Sequence, residues 1–176
     1  MRNWKDWNYI ILKNDLVLLT QLEHRHKHVL TEAASDPEIW LQHPQKNLYK
    51  PQYFYRHFND ALVNECGFVI EDRKHNEIIG MFSLYNYEPK DGSIMLGKSF
   101  LIKRCWGGEY NKAVKLLIYN YLFQIQSIQH IKIEIKDTNL RSIRANEKIG
   151  FKCIESDSSN DMNIYELTPK NFNELR

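Results

Sequence analysis

Apolar residues along this chain change spacing several times, and each change marks an element. Leu16 to Thr20 is a short apolar run that reads as a strand. Leu22, His26, Val29, Leu30 and Ala33 then recur at the three-to-four residue interval of a helix, which stops at Ser35-Asp36-Pro37. Asp36 ahead of Pro37 has the form of an N-cap with proline at the first helical position, so a short helix should reach Trp40. After a polar and aromatic loop (His43 to Tyr49), Phe54, Phe58, Ala61 and Leu62 define the inner face of a helix from about Pro51 to Asn64. Three strand-like runs follow: Gly67 to Glu71, Glu77 to Tyr87 and Ser93 to Ile102. Turn residues separate them at Lys74-His75-Asn76 and Pro89-Lys90-Asp91-Gly92, which predicts an antiparallel meander. A long helix over Lys112 to Gln126 presents Val114, Leu117, Ile118, Tyr121, Leu122 and Ile125 on one side. Ile131 to Ile135 alternates as a strand, Leu140 to Lys148 reads as a helix, and Phe151 to Glu155 with Asn163 to Leu167 completes the sheet. With no repeat or linker in view, the expectation is one mixed α/β domain over residues 1–176.

Composition narrows the class. A chain of 176 residues can bury roughly 70% of its unfolded surface, enough for a real core. Hydrophobic residues at 43% and charged residues at 26% belong to a globular protein. The net charge of +2 argues against a nucleic-acid binder and against a membrane-surface binder. No apolar run has membrane-span length, and the N-terminus carries no signal-peptide core, so the expected location is cytoplasmic. Three scattered cysteines, Cys66, Cys105 and Cys153, make no disulfide framework.

Candidate chemistry concentrates where the third strand run meets the long helix, at Arg104-Cys105-Trp106-Gly107-Gly108-Glu109-Tyr110-Asn111. Glycine lets backbone N–H groups approach a ligand, and the first N–H groups of the helix are unpaired at its positive end. Phosphate or pyrophosphate suits such a site, although two glycines can also serve only to make the turn. Neither GxxxxGK[ST] nor GxGxxG is present. Cys105 lies in the loop without a nearby His or Asp in sequence, so packing is its expected role.

The loop is followed, after a strand, by Asn139-x-x-Ser142-x-x-Ala145-x-Glu147-Lys148-x-Gly150-Phe151. Arg-x-x-Gly opening a helix and then this second motif resemble the GNAT superfamily of acetyl-CoA-dependent N-acetyltransferases. The chain looks most like the branch that includes the ribosomal-protein N-terminal acetyltransferases. The similarity is strongest from about Phe68 to Ile154, and Asp36 to Trp40 and Ile78-Ile79-Gly80 also fit.

That resemblance implies a single-domain fold with a mixed, mostly antiparallel sheet flanked by helices, in which two central strands splay into a V. It implies acetyl-CoA as acetyl donor, no metal, and a primary amine as acceptor, either a peptide N-terminus or a small molecule, and it is compatible with a homodimer. Leu101, Ile102 and Lys103 would offer backbone groups to the pantetheine arm. Arg104 and the N–H groups of Gly107, Gly108, Glu109, Tyr110 and Asn111 would hold the pyrophosphate. Asn139 would bond the pantetheine as well as cap its helix, and Ser142 would protonate the leaving thiolate. Arg144 or Lys148 would either meet the 3′-phosphate or form a solvated basic face.

Two departures stand out. Glu109 occupies a position where the family has a small residue, and Met95 stands where related sequences carry the glutamate that serves as general base. Tyr85, Glu88, His43 and Glu71 are the alternatives for the base. In Glu23-His24-Arg25-His26-Lys27-His28 only His24 and His28 share a helical face, so a solvated surface is expected rather than a metal site. Two further readings remain: a non-catalytic domain of this type that binds CoA or a partner, and a nucleotide-binding protein unrelated to acetyl transfer.

Overall fold

The computed structural model describes residues 10–63, 66–125, 127–157 and 159–173. One sheet of eight strands runs through it. In chain order these are β1 (Leu12–Lys13), β2 (Val17–Gln21), β3 (Cys66–Asp72), β4 (Glu77–Glu88), β5 (Ser93–Leu101), β6 (His130–Lys136), β7 (Lys152–Asp157) and β8 (Met162–Leu167). Their order in space is β1-β2-β3-β4-β5-β6-β8-β7. Among the described residues five α-helices accompany them: α1 (Lys27–Ala33), α2 (Pro51–Val63), α3 (Glu109–Gln124), α4 (Leu140–Glu147) and α5 (Pro169–Asn173). Each predicted element is present within a few residues. The stretch ahead of α1 is instead a 3₁₀ turn over His24–His26, and Asn64 and Gln126, expected in helices, lie outside the described residues.

Every strand pair is antiparallel except β5 with β6, which are parallel because α3 carries the chain back across the sheet between them. That parallel pairing is short. It joins Ser93 to His130, Ile94 to Ile131 and Met95 to Lys132, and then the strands part. On its other side β5 carries a bulge. Met81 pairs with Phe100 and Ser83 with Gly97, so two steps of β4 span three of β5, and Lys98 within the bulge has φ +49°. A bulge bends its strand away, and here it coincides with the point where β5 leaves β6.

Alternation along the strands serves two cores. Phe68, Ile70 and Phe82 face α3, packing with Ile118, Tyr119 and Leu122. Val69, Met81 and Phe100 face the opposite way, toward Leu30, Trp40, Phe54 and Phe58. In α3, Val114, Ile118 and Leu122 are buried as the periodicity predicts, joined by Tyr119, while Leu117, Tyr121 and Ile125 are half-buried against the core. In α2 the inner face is Phe54, His57, Phe58 and Ala61, with Leu62 half-buried. Asp36 caps the 3₁₀ turn Pro37–Trp40 by accepting from the Glu38 N–H at 2.9 Å, and the Trp40 indole donates to the Ala34 carbonyl at 2.8 Å. This fixes the segment that forms one rim of the cleft.

Candidate active site

Where β5 and β6 part, a cleft of about 2030 Å³ opens between β5, the start of α3, α4 and the 42–48 loop. From Leu96 to Leu101 the β5 edge that faced β6 has no partner strand among the described residues. An open strand edge lining a cleft is suited to an extended, amide-rich ligand.

At one end of the cleft the loop after β5 turns into α3. Gly107 has φ +66°, and a Cβ placed on it would meet nothing within 4 Å. Gly108 is nearly as open: a Cβ there would meet only the Trp106 carbonyl, at 4.0 Å. Gly108 is the N-cap of α3, and among the described residues no side chain caps the helix. The first turn therefore offers free N–H groups and the positive end of a sixteen-residue helix beside open space. These residues fit the pyrophosphate of CoA. Gly107, Gly108 and Asn111 line the cleft.

Other members of the expected set point elsewhere. The Arg104 guanidinium does not face the cleft: Nη1 donates to Asp72 Oδ2 at 2.9 Å and Nη2 donates to Glu77. The Tyr110 hydroxyl also donates to Asp72 Oδ2, at 2.9 Å, and His75 Nδ1 lies 2.7 Å from the same oxygen. Asp72 is fully buried, which would raise its pKa, but the hydrogen bonds from His75, Arg104, Tyr110 and the Lys74 N–H outweigh burial and hold it well below the usual carboxylate range. Arg104 and Tyr110 thus anchor the loop from behind. Lys103 forms an ion pair with Glu38 at 2.6 Å, and Glu109 is exposed in the first turn of α3.

The backbone expectation also needs correction. The Ile102 N–H donates to the Ile79 carbonyl, and the carbonyls of Ile102 and Lys103 accept from Cys105 and Trp106 in a 3₁₀ turn. The Ile102 N–H and both carbonyls are thus engaged within the protein. Leu101 does line the cleft, with its carbonyl accepting from the Trp106 indole at 2.8 Å. The usable edge is Leu96–Leu101.

The opposite wall is α4. The Asn139 side-chain carbonyl accepts from the Ser142 N–H at 3.2 Å, the predicted cap, which leaves its NH₂ group to the cleft. Ser142 and Asn146 follow on the same face, and Asn146 Nδ2 donates to the Ser142 carbonyl at 2.9 Å and to Ser142 Oγ at 3.3 Å. Lys115 Nζ, from α3, donates to Asn146 Oδ1 at 2.7 Å. Burial lowers this ammonium to about 7, and its hydrogen-bond partner is an uncharged amide. Sequence reasoning missed Lys115 and Asn146. A signal existed: Asn111, Lys115 and Ile118 share one helical face, so a lysine falls on the inward side of α3. Arg141 spans the two walls, its guanidinium carbon 3.9 Å from the centre of the Trp106 ring and its Nη2 donating to the Ile39 carbonyl at 3.1 Å.

Of the four alternatives for the base, Tyr85 and His43 line the cleft and Glu71 and Glu88 do not. His43 Nδ1 accepts from the Gln45 N–H at 3.0 Å, so the proton of a neutral ring sits on Nε2, which then donates and cannot accept. Tyr85 stands over Gly97, its hydroxyl 2.7 Å from where a Cβ would lie, beside the bulge. His57, also missed, is pushed down to about 3 by burial and then by the Lys98 charge. Its Nε2 is sealed from solvent among Trp40, His43 and Phe54 and has no hydrogen-bond partner among the described residues. Cys105 is buried, and burial raises its thiol pKa, which disfavours the thiolate. Among the described residues no three His, Cys, Asp or Glu side chains gather to hold a metal, and His28 pairs with Glu32 at 3.7 Å. No helix there is long and apolar enough to cross a membrane.

Known structures place this geometry in context. A GCN5-related N-acetyltransferase from Brucella melitensis superposes with a TM-score of 0.78 at 17% identity, covering 94% of this chain and 81% of that one. A Salmonella typhimurium acetyl transferase that modifies the N-terminal serine of ribosomal protein L7/L12 gives 0.78 at 14% identity, over 90% and 99% of the two chains. The microcin C7 self-immunity acetyltransferase MccE, solved with acetyl-CoA and AMP, gives 0.73 at 13% identity, over 88% and 93%. At these identities the likeness is one of fold. No curated protein matches the sequence. The family model of the acetyltransferase (GNAT) domain matches residues 17–152, most of the chain, and the protein belongs to that family.

Proposed function

We propose that the protein moves the acetyl group of acetyl-CoA to a primary amine by direct attack of the amine on the thioester. The observation that carries this reading is the parting of β5 from β6 beside two open glycines and an uncapped α3. Gly107, Gly108 and the N–H groups at the start of α3 hold the pyrophosphate. The Leu96–Leu101 edge and the Asn139 amide hold the pantetheine arm. Bound there, acetyl-CoA supplies an activated acetyl group. The chain supplies proximity and orientation, which provide most of the rate in such transfers. Ser142 gives a proton to the departing sulfur, and the Tyr85 hydroxyl relays one from the amine to solvent, releasing its own proton as it accepts. The acceptor enters past His43, Tyr53 and Arg56, a wall that suits a peptide N-terminus or a small-molecule amine.

Thermal unfolding with acetyl-CoA, and with ATP and NAD as controls, tests the reading. A rise in Tm with acetyl-CoA alone, growing with its concentration, is expected. Turnover in an amine screen should then fall on Ser142→Ala without loss of acetyl-CoA affinity. No shift at millimolar acetyl-CoA would overturn the proposal and favour a non-catalytic interaction domain.

A further inference from the structure

The cleft holds one polar chain that binding of acetyl-CoA does not explain: Lys115 to Asn146 to Ser142. Apolar residues in these places would pack the α3–α4 contact at lower cost, since an ammonium withdrawn from water without a carboxylate is unfavourable. In its ammonium form, which prevails below about pH 7, Lys115 can only donate. Lys115 therefore fixes Asn146 Oδ1 as the acceptor and turns Nδ2 toward Ser142. Nδ2 donates to the Ser142 carbonyl and also reaches Oγ. With a lone pair of Oγ occupied from that side, and with no protein acceptor for its proton among the described residues, the hydroxyl is directed at the cleft.

We infer that Lys115 and Asn146 are positioning residues that aim the Ser142 proton at the thioester sulfur, an inference that rests on the function proposed above. In the transfer, the amine nitrogen bonds to the acetyl carbon while the C–S bond breaks. Ser142 gives its proton to the electron pair left on sulfur and recovers one from solvent, where the proton lost by the amine also goes.

The ionisation of bound CoA tests this without turnover. The thiolate absorbance of CoA on the protein is titrated against the same protein saturated with desulfo-CoA, which cancels the cysteines and lysines of the chain. A hydroxyl aimed at sulfur should hold the bound thiol about one unit below free CoA, as one hydrogen bond to a charged acceptor does. Ser142→Ala and Lys115→Met should each return most of that shift, and the double variant should do no more than Ser142→Ala alone. Asn146→Asp, which keeps a partner for Lys115 but accepts the serine proton, should also return it. An unchanged thiol pKa in Lys115→Met or Asn146→Asp overturns the inference. So does a Lys115→Met effect that persists in the Ser142→Ala background, because the lysine would then act directly on sulfur. Failure of CoA to bind would instead remove the proposed function, and this inference with it.

Discussion

Two charges lie on either side of the glycine loop, one fully buried and one half-buried in the cleft, and they are treated in opposite ways. Behind the loop, Asp72 is met by a guanidinium, an imidazole, a phenol and a backbone N–H. In the cleft, Lys115 is met by one amide. A charge that serves only to hold a fold is surrounded until its desolvation is offset. A charge left short of partners keeps hydrogen-bonding capacity for whatever enters the cleft. The first turns of α3 connect the two, since Tyr110 reaches back to the anchor and Lys115 reaches forward into the cleft.

Breaking the anchor should have the largest effect. Asp72→Ala strands Arg104 and Tyr110 and should cost roughly 3–5 kcal/mol in denaturant unfolding at neutral pH. Because the folded carboxylate is held below its unfolded pKa of about 3.9, its contribution is present above that pH and is lost as pH falls through the folded value. The gap between wild type and variant should therefore persist through neutrality and close only in strong acid. A gap that closes well before strong acid would mean that the Asp72 carboxylate is not what carries the anchor.

Lys115→Met should move stability the other way. Its folded pKa, about 7, lies below the ordinary lysine value of 10.5, so the unfolded chain binds the extra proton between those limits. The cost of burial is in full force below pH 7 and fades as pH rises toward 10.5. The variant should be more stable than wild type by of order 2 kcal/mol at about pH 6, with the advantage shrinking above about pH 7. Equal stability at both pH values would show that the ammonium is better solvated than its surroundings indicate.

The contrast also explains what the sequence did and did not disclose. The elements were legible because burial in them is periodic: Val69 and Met81 face one core while Phe68 and Phe82 face the other. The glycine turn and the Asn139 cap were legible because both depend on local backbone, at a strand end and at two helix starts. Arg104 was misassigned because its partners, Asp72 and Glu77, come from β3 and β4 about thirty residues away, and spacing along the chain carries no trace of that contact. Lys115 was missed for the same reason, since Asn146 reaches it from α4.

Gly107→Ala probes the cleft side of the loop on its own. With φ +66° and empty space above it, alanine should cost about 1 kcal/mol of stability through backbone strain alone. Its methyl group would also stand where the pyrophosphate approaches, so acetyl-CoA affinity should fall several-fold. Asp72 and its partners should be undisturbed, so the loss of affinity should exceed the loss expected from stability. If affinity is unchanged, the phosphate lies elsewhere.

The smallest effect is also the most discriminating, because its two readouts should take opposite signs. Glu109 is an exposed carboxylate in the first turn of α3, where it favours the helix. Glu109→Gln should therefore lower stability without ligand by about 0.3–1 kcal/mol. The same carboxylate repels a pyrophosphate at that helix end, so the variant should bind acetyl-CoA more tightly, by a similar amount. Both effects should weaken with added salt, since the site is open to solvent. Unfolding measured with and without acetyl-CoA reads the two together: Tm should be lower for the variant alone and recover, or overtake wild type, at saturating ligand. Loss of stability with no gain in affinity would mean that the phosphates do not use this helix, and that Asp72 holds the loop in shape for some other occupant.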